Sequence, residues 1–277
     1  MKLQQEEVKA YFARNGTVSQ WWDPEGVRNK YHFEKEMQIL QSQLKIDPTW
    51  RVLDVGCGQG RYTIWFAQKG CQVTAVDLSQ EMLNLCRQNA EAARVSDSID
   101  LVLADAEHLS QLEDGQYDVV SCMATFVHIP DLEKATINMA RKLRPGGHFL
   151  FTFASADSLH GRLAKAYFSN PWLRKLLGGG DGISQVARPL VLEDTIRILE
   201  RARLSHIKVF GIGLLFLFVR PEFRGKAMVR FLRCLSMTEE RLKPYYTSRR
   251  MARLSATILG IGTRVENGDT SHGKKGG

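Results

Sequence analysis

The stretch that most constrains the fold is Arg51–Ser79, which reads RVLDVGCGQGRYTIWFAQKGCQVTAVDLS. It begins with an apolar run that suits a buried parallel strand, and the run leads into Gly56, Gly58 and Gly60. Glycine tolerates positive φ and lets a ligand approach the backbone closely. A helical pattern, a second β-rich run and Asp77 follow. A carboxylate at the end of the second strand accepts hydrogen bonds from ribose hydroxyls, so this order predicts a nucleoside-binding βαβ unit.

The glycine spacing distinguishes two classes of nucleoside ligand. A dinucleotide fingerprint reads G-x-G-x-x-G, but here Arg61 stands at the last position and the third glycine comes one residue early. Asp54 stands two residues before the first glycine, where its charge would repel a pyrophosphate and attract a cationic ligand. S-adenosylmethionine (SAM) combines a ribose and an adenine with a sulfonium and an amino acid tail, and it meets both conditions.

Two strings resemble motifs of the class I SAM-dependent methyltransferases. VLDVGCGQG is similar to their glycine motif, and AVDLS is similar to their ribose-binding motif. LRPGGHFLF, which predicts a tight turn into a fifth strand from His148, resembles the family as well. The resemblance covers residues 51–153 and implies a Rossmann-like α/β fold. That fold has a seven-stranded sheet, helices on both faces and an antiparallel last strand.

The resemblance also divides the chain. It implies an N-terminal helical cap over residues 1–48 and a SAM-binding domain over residues 49–265. We expect helical additions to that domain at about 155–190 and 220–253. Residues 266–277 contain few apolar side chains and are predicted to be disordered.

The resemblance implies SAM as the cofactor and S-adenosylhomocysteine (SAH) as the product. Asp54 would act on the amino acid end directly or through water, Asp77 would hold the ribose, and Asp105 would accept the adenine amino group. Asp105 has an alternative role as a cap of the next turn. Met82 also has an alternative role, as part of the apolar face of its helix. Cys57 is either a reactive thiol or a small residue that the loop tolerates. The predicted cofactor-binding set is Asp54, Gly56, Cys57, Gly58, Gly60, Asp77, Leu78, Met82, Asp105, Ala106 and Met123.

The methyl acceptor is predicted to be a hydrophobic or aromatic small molecule, such as a lipid, a quinone or a secondary metabolite. His128 follows the fourth predicted strand, and a neutral histidine can accept the proton of a hydroxyl, which favours O-methylation. In the alternative interpretation His128 only stabilises its loop by hydrogen bonding or caps the helix that follows Pro130. WWDPEG at residues 21–26 is similar to the start of the ubiquinone-pathway O-methyltransferases. Trp21, Tyr31 and His128 are the predicted substrate-binding residues.

Charge is concentrated in one segment. The chain carries a net charge of +8, and residues 220–253 hold ten Lys or Arg against three Glu. This segment predicts either a peripheral contact with an anionic membrane or a solvated cover over the active site. Single-stranded nucleic acids bind to basic residues combined with an array of aromatics, and Tyr245 and Tyr246 beside Arg249 and Arg250 give only a hint of one, which argues against nucleic acid as a partner.

Other features concern the compartment and metals. The five cysteines form no C-x-x-C pair, and the first residues are polar and acidic, so we expect a cytoplasmic protein with reduced thiols. The sequence shows no metal-ligand cluster and predicts no metal. Two alternatives to a small-molecule methyltransferase stay open at this point: an enzyme that methylates RNA or protein, and a non-catalytic relative that binds SAM or SAH.

Overall fold

A seven-stranded sheet organises the residues that the structure, a computed structural model, describes. These residues are 4–15, 27–158, 161–162, 187–213 and 249–265. Numbered along the chain, the strands are β1 Arg51–Val55, β2 Gln72–Asp77, β3 Ile99–Leu103, β4 Tyr117–Cys122, β5 Leu143–Ala154, β6 Leu204–Ile212 and β7 Thr257–Arg264. Their order across the sheet is β3-β2-β1-β4-β5-β7-β6.

Pairing within the sheet agrees with the predicted fold class. The first five strands run parallel to one another, and β7 is antiparallel to both β5 and β6. The helices in the described residues are α1 Gln5–Asn15, α2 Val27–Gln43, α3 Arg61–Gln68, α4 Gln80–Ala92, α5 Leu132–Lys142, α6 Leu192–Arg201 and the single turn α7 Arg249–Ala252. The predicted Rossmann-like α/β fold with an antiparallel last strand is therefore confirmed.

Helices cover both faces of the sheet because consecutive strand residues point to opposite sides. Val52 packs with α2 and α3 in one buried cluster, whereas the next residue, Leu53, packs with α5 and α6 in another. Similarly, Leu150 belongs to the first cluster and its neighbours Phe149 and Phe151 belong to the second. Apolar residues along these central strands thus bury both faces, as parallel strands covered on both sides require.

The strand β5 differs from its prediction. The sequence predicts a tight turn at residues 143–147 and a strand from His148, but Leu143 already pairs with Tyr117 of β4. The next pair is Val119 with His148, so the Pro-Gly-Gly residues form an irregularity inside the strand. The pairing partner Tyr117 is distant in sequence, and no local signal indicates it.

Several predictions fall outside the described residues. They include Trp21, the tail 266–277, most of the addition at about 155–190, and residues 220–248 of the basic segment. The division into a cap and a SAM-binding domain stays a prediction. Among the described residues, no helix combines the length and apolar character that crossing a membrane requires.

Candidate active site

A cavity lies at the carboxyl ends of β1 and β4. These strands are neighbours in the sheet, and the chain leaves them toward opposite edges, which creates the crevice where open α/β sheets bind ligands. The glycine loop follows β1, and the segment that carries His128 follows β4. The cavity measures about 620 Å³, within the range of small-molecule sites.

The glycine loop requires glycine for two reasons. Gly56 and Gly58 both lie in the left-handed region, with φ of 72° and 54°. A Cβ on Gly56 would come within 2.3 Å of the Thr125 side chain, whereas a Cβ on Gly58 would meet no protein atom within 4 Å. Gly56 is therefore packed against the segment after β4, and Gly58 faces open space in the cavity wall.

Asp77 connects the glycine loop to the end of β2. Its Oδ2 accepts the backbone N–H of Gly58 and its Oδ1 accepts that of Ser79, each at 2.9 Å. Burial raises the pKa of Asp77, and the N–H groups of Ser79 and Gly58 oppose that rise. The carboxylate is thus oriented beside the loop and lies in the cavity wall, as its predicted ribose-binding role requires.

The predicted adenine end is assembled from two segments. Leu78, Met82, Asp105 and Ala106 all line the cavity. Asp105 Oδ1 accepts the backbone N–H of Glu107 at 2.9 Å, so this carboxylate also stabilises the turn that follows, as the alternative interpretation expects. These residues come from two connections of the chain, the one that follows β2 and the one that follows β3, and the sheet brings them together.

The other oxygen of Asp105 has side-chain partners. Its Oδ2 lies 2.8 Å from His108 Nδ1 and also accepts the side-chain amide of Gln5. Gln5 belongs to α1, which therefore reaches the predicted adenine site. No sequence signal indicated this contact, because Gln5 lies 100 positions from Asp105.

Asp54 and Gly60 lie behind the cavity surface. Asp54 is 1% exposed, and Thr63 Oγ1 donates to its Oδ2 at 2.6 Å. Burial raises the pKa of Asp54 to about 6, although the Thr63 hydroxyl counteracts part of the rise. Neither residue lines the cavity wall. A role of Asp54 toward the ligand must therefore act through its charge or through an intervening group, and it stays a prediction.

Cys57 lines the cavity with a thiol that holds its proton. A hydrogen bond with Cys86 and burial raise the pKa of Cys57, and a protonated thiol is a weak nucleophile. This environment favours the interpretation of Cys57 as a small residue that the loop tolerates.

The segment after β4 forms the opposite wall. Met123 and Ala124 line the cavity, and Ala124 has a φ of 58°, which is strained for a residue other than glycine. Its N–H donates to Thr152 Oγ1 at 2.6 Å, and Thr125 Oγ1 donates to the carbonyl of Gly56 at 3.1 Å. The first bond holds the segment to β5, and the second holds it against the glycine loop.

His128 is 9% exposed and lines the cavity. The edge of Phe12 packs against its ring, with centroids 5.1 Å apart. Arg188 donates to the carbonyls of Ile129 and Pro130 at 3.3 and 3.1 Å, which anchors the chain just beyond His128. The imidazole therefore lines the cavity on a segment that these hydrogen bonds hold in place.

Similarity to known proteins identifies the family. Residues 53–151 match a family model described as a methyltransferase domain. A ubiquinone biosynthesis O-methyltransferase from Pectobacterium carotovorum subsp. carotovorum (strain PC1) is 30% identical over 191 residues, which cover 68% of this chain and 74% of that protein. The chain belongs to the class I SAM-dependent methyltransferases. It is an enzyme of this family, and SAM is its cofactor.

Solved structures agree on the fold. The magnesium protoporphyrin IX methyltransferase from Synechocystis PCC 6803, solved with bound SAH, has a TM-score of 0.60 at 18% identity, covering 94% of this chain and 100% of that one. The cyclase SpnF has a TM-score of 0.61 at 17% identity, covering 96% and 98% of the two chains. One fold thus accommodates proteins named for different reactions.

The residues present fit SAM. The Asp77 carboxylate suits ribose hydroxyls, and Gly58 leaves open space where a side chain would stand in the cavity wall. Asp105 offers acceptor oxygens for an adenine amino group, and Asp54 places a buried acidic group at the end of β1, behind the cavity wall. Among the described residues, no group of three or more His, Cys, Asp or Glu could hold a metal ion.

The structure adds wall residues that the sequence did not indicate. Phe33 of α2 and Arg61, Tyr62 and Trp65 of α3 line the cavity. The Arg61 guanidinium lies 5.1 Å from the Phe33 ring centroid, and the Tyr62 ring lies 5.5 Å from it. Arg61 and Tyr62 could have been anticipated, because the first turn of a helix after a glycine loop faces the ligand.

Tyr31, a predicted substrate residue, is not part of the cavity wall. Its ring packs against His32, with centroids 5.9 Å apart, and lies 5.9 Å from the Lys35 ammonium. Helix α2 instead presents Phe33 to the cavity, two positions along from Tyr31. Its substrate role stays a prediction.

Proposed function

We propose that the protein transfers the methyl group of SAM to a hydroxyl of an apolar or aromatic small molecule. One observation carries the proposal: the cavity continues beyond the predicted nucleoside residues to a wall of aromatic and aliphatic side chains. Phe12, Phe33, Trp65 and Ile129 contribute to that wall. A lipid, a quinone or a phenolic metabolite has the apolar body that such a wall accommodates.

His128 is the proposed general base. Methyl transfer to a hydroxyl leaves a proton on the acceptor oxygen, and a neutral imidazole in the cavity wall can accept it. The rest of the task is positioning: the acceptor oxygen must lie in line with the methyl group, with water excluded. The related ubiquinone biosynthesis O-methyltransferase supports a hydroxyl acceptor, since its name describes transfer to oxygen.

The test is an acceptor screen with methyl-labelled SAM. The panel pairs each phenol, catechol or hydroquinone with its O-methylated counterpart, and it includes amine and protein or RNA acceptors. We expect labelled product from the free hydroxyls and none from the blocked ones. Label appearing only in amines, RNA or protein would overturn the proposal.

The proposed base is tested with His128→Ala and His128→Gln. Both should lower kcat by about 10²- to 10⁴-fold, the usual contribution of general acid–base catalysis, while leaving SAH affinity unchanged. Full activity in these variants would assign His128 to loop stabilisation. Tight SAH binding without turnover on any acceptor would favour the non-catalytic alternative.

Most of the basic segment at 220–253 lies outside the described residues, so its contact with a membrane surface stays a prediction. Sedimentation with vesicles of neutral and of anionic lipid would test it. Binding to anionic vesicles alone, lost at high salt, is the expected result.

A further inference from the structure

A buried carboxyl lies behind the cavity wall at a point that the sequence did not indicate. Glu36 of α2 is 4% exposed and belongs to a helix whose other buried residues, Met37 and Leu40, are apolar. The hydroxyl of Tyr62 donates to Glu36 Oε2 at 2.5 Å. A carboxyl taken out of water is costly unless it has such a partner. The pair joins α2 to the first turn of α3.

Tyr62 carries the effect of Glu36 to the cavity. Its side chain lines the cavity, whereas Glu36 does not. A tyrosine hydroxyl has one proton, and here that proton is directed to Glu36. While Glu36 is ionised, the Tyr62 oxygen can therefore act toward a ligand only as a hydrogen-bond acceptor. This part of the wall therefore favours a ligand group that donates a hydrogen bond.

The surroundings of Tyr62 match the amino acid tail of SAM. Arg61 precedes it in the cavity wall and offers a cation, and the next residue, Thr63, bonds to the buried Asp54. The first turn of α3 therefore presents a cation and an acceptor side by side, with two carboxyls behind them. An ammonium next to a carboxylate, as in an amino acid, complements this arrangement.

We infer that Glu36, acting through the Tyr62 hydroxyl, is a positioning residue for the ammonium group of the amino acid end, and that its negative charge favours SAM over SAH when it is ionised. SAM carries one more positive charge than SAH, on its sulfonium, so a nearby negative charge distinguishes the two. The inference rests on the same SAM site as the proposed function but not on the identity of the acceptor.

The charge of Glu36 is adjustable near neutral pH. Burial raises the pKa of Glu36 to about 7, against the lowering effects of the Tyr62 hydrogen bond and the Arg61 charge. Asp54 also acts on Tyr62, and burial raises its own pKa to about 6. Among the described residues, Arg61 on α3 and Asp54 on β1 are the groups whose charge acts on the pair.

The expected change in the preference for SAM over SAH follows from the ionised fraction of Glu36. A carboxyl with a pKa of about 7 is roughly 10% ionised at pH 6 and roughly 90% ionised at pH 8. Apparent affinity scales with the competent fraction, so the preference for SAM over SAH should rise up to about ninefold across this range from Glu36 alone. Asp54, with a pKa of about 6, adds about twofold over the same range.

Calorimetric titration of the full chain with SAM and with SAH at pH 6, 7 and 8 tests the inference. The ligands share the same amino group, so its titration cancels in the ratio of their affinities. In Glu36→Gln the amide oxygen still accepts from Tyr62, and the pH-dependent preference should fall to the twofold share of Asp54. Tyr62→Phe removes the hydrogen bond that lowers the pKa of Glu36, so less of Glu36 should be ionised in this range and the preference for SAM should fall similarly.

A ratio that rises equally in the wild type and in Glu36→Gln would overturn the inference, as would a ratio independent of pH in the wild type. Thermal melts of each variant confirm that it is folded. Failure of the proposed function is a separate result: it would appear as missing product in the acceptor screen, with these titrations unaffected.

Discussion

Substitution of Gly56 by alanine should cost stability mainly through one contact. Gly56 has a φ of 72°, and a Cβ would stand 2.3 Å from Thr125 Cγ2 and 2.5 Å from Thr125 Oγ1. Thr125 cannot easily move aside, because its hydroxyl lies 3.1 Å from the carbonyl oxygens of both Gly56 and Met123 and its one proton is shared between them. Gly58 is the matched control, because it has a φ of 54° but no protein atom within 4 Å of its Cβ position.

The two substitutions share the backbone term and differ in the steric one. A left-handed residue with a Cβ costs about 1–2 kcal/mol, and overpacking adds about 1–3 kcal/mol. We therefore expect Gly56→Ala to lower the free energy of unfolding by about 2–5 kcal/mol and Gly58→Ala by about 1–2 kcal/mol. For a chain of this size each kcal/mol lowers Tm by about 2–4 °C.

The assay is urea unfolding of both variants, with SAH titration of the folded protein beside it. Because the Cβ of Gly58→Ala would point into the cavity wall, that variant should lose more SAH affinity than its small loss of stability suggests. Equal losses of stability in the two variants would refute the reasoning, since Thr125 would then contribute nothing to the requirement for glycine.

Two further predictions concern carboxyl groups. Asp77→Asn should weaken SAH binding by about 10- to 150-fold, because a hydrogen bond to a charged group is worth about 1.5–3 kcal/mol. Unchanged affinity in a calorimetric titration would contradict the ribose-binding role of Asp77. Glu36 should make the fold less stable as pH rises, because its pKa in the folded protein, about 7, lies above its ordinary value of 4.5. Its contribution is fully present below pH 4.5 and is lost as pH approaches 7, about 3 kcal/mol in all. Asp54, whose pKa burial raises to about 6, contributes its own loss of stability over the same range in both proteins. Urea unfolding at pH 5 and 7.5 should therefore show a larger loss in the wild type than in Glu36→Gln, by about 2 kcal/mol. An equal loss in both would argue against a raised pKa of Glu36.

Local patterns predicted the central part of the fold. The β-rich run YDVVSC predicts a strand over Tyr117–Cys122, and the residues after Asp131 predict a helix over Leu132–Lys142, which are the observed bounds of β4 and α5. Ser79, a residue type that favours helix N-termini, caps α4 by accepting the N–H of Met82 at 3.3 Å. Signals of this kind lie within a few residues of one another, so they can be read along the chain. The glycine loop and Asp77 belong to the same class, because one βαβ unit contains both.

Contacts between distant residues were not predictable in this way. Glu36 meets Tyr62 across 26 positions, and Gln5 meets Asp105 across 100. A glutamate on a helix is ordinarily a solvated residue, and nothing near Glu36 in sequence indicates that it is buried. The sequence also does not indicate whether a side chain lines the cavity or lies behind its wall. It predicts that Asp54 acts on the ligand, but Asp54 lies behind the wall.

The sequence by itself determined the βαβ unit, its glycines and its acidic ends, and through them the cofactor class. Each of these depends on backbone conformation or hydrogen bonding over short stretches of chain. The tertiary structure alone decided which side chains face the cavity: Phe12, Phe33 and Tyr62 rather than Tyr31 and Asp54. The physical reason is that a side chain's exposure depends on the elements that pack against it, and those elements come from distant parts of the chain.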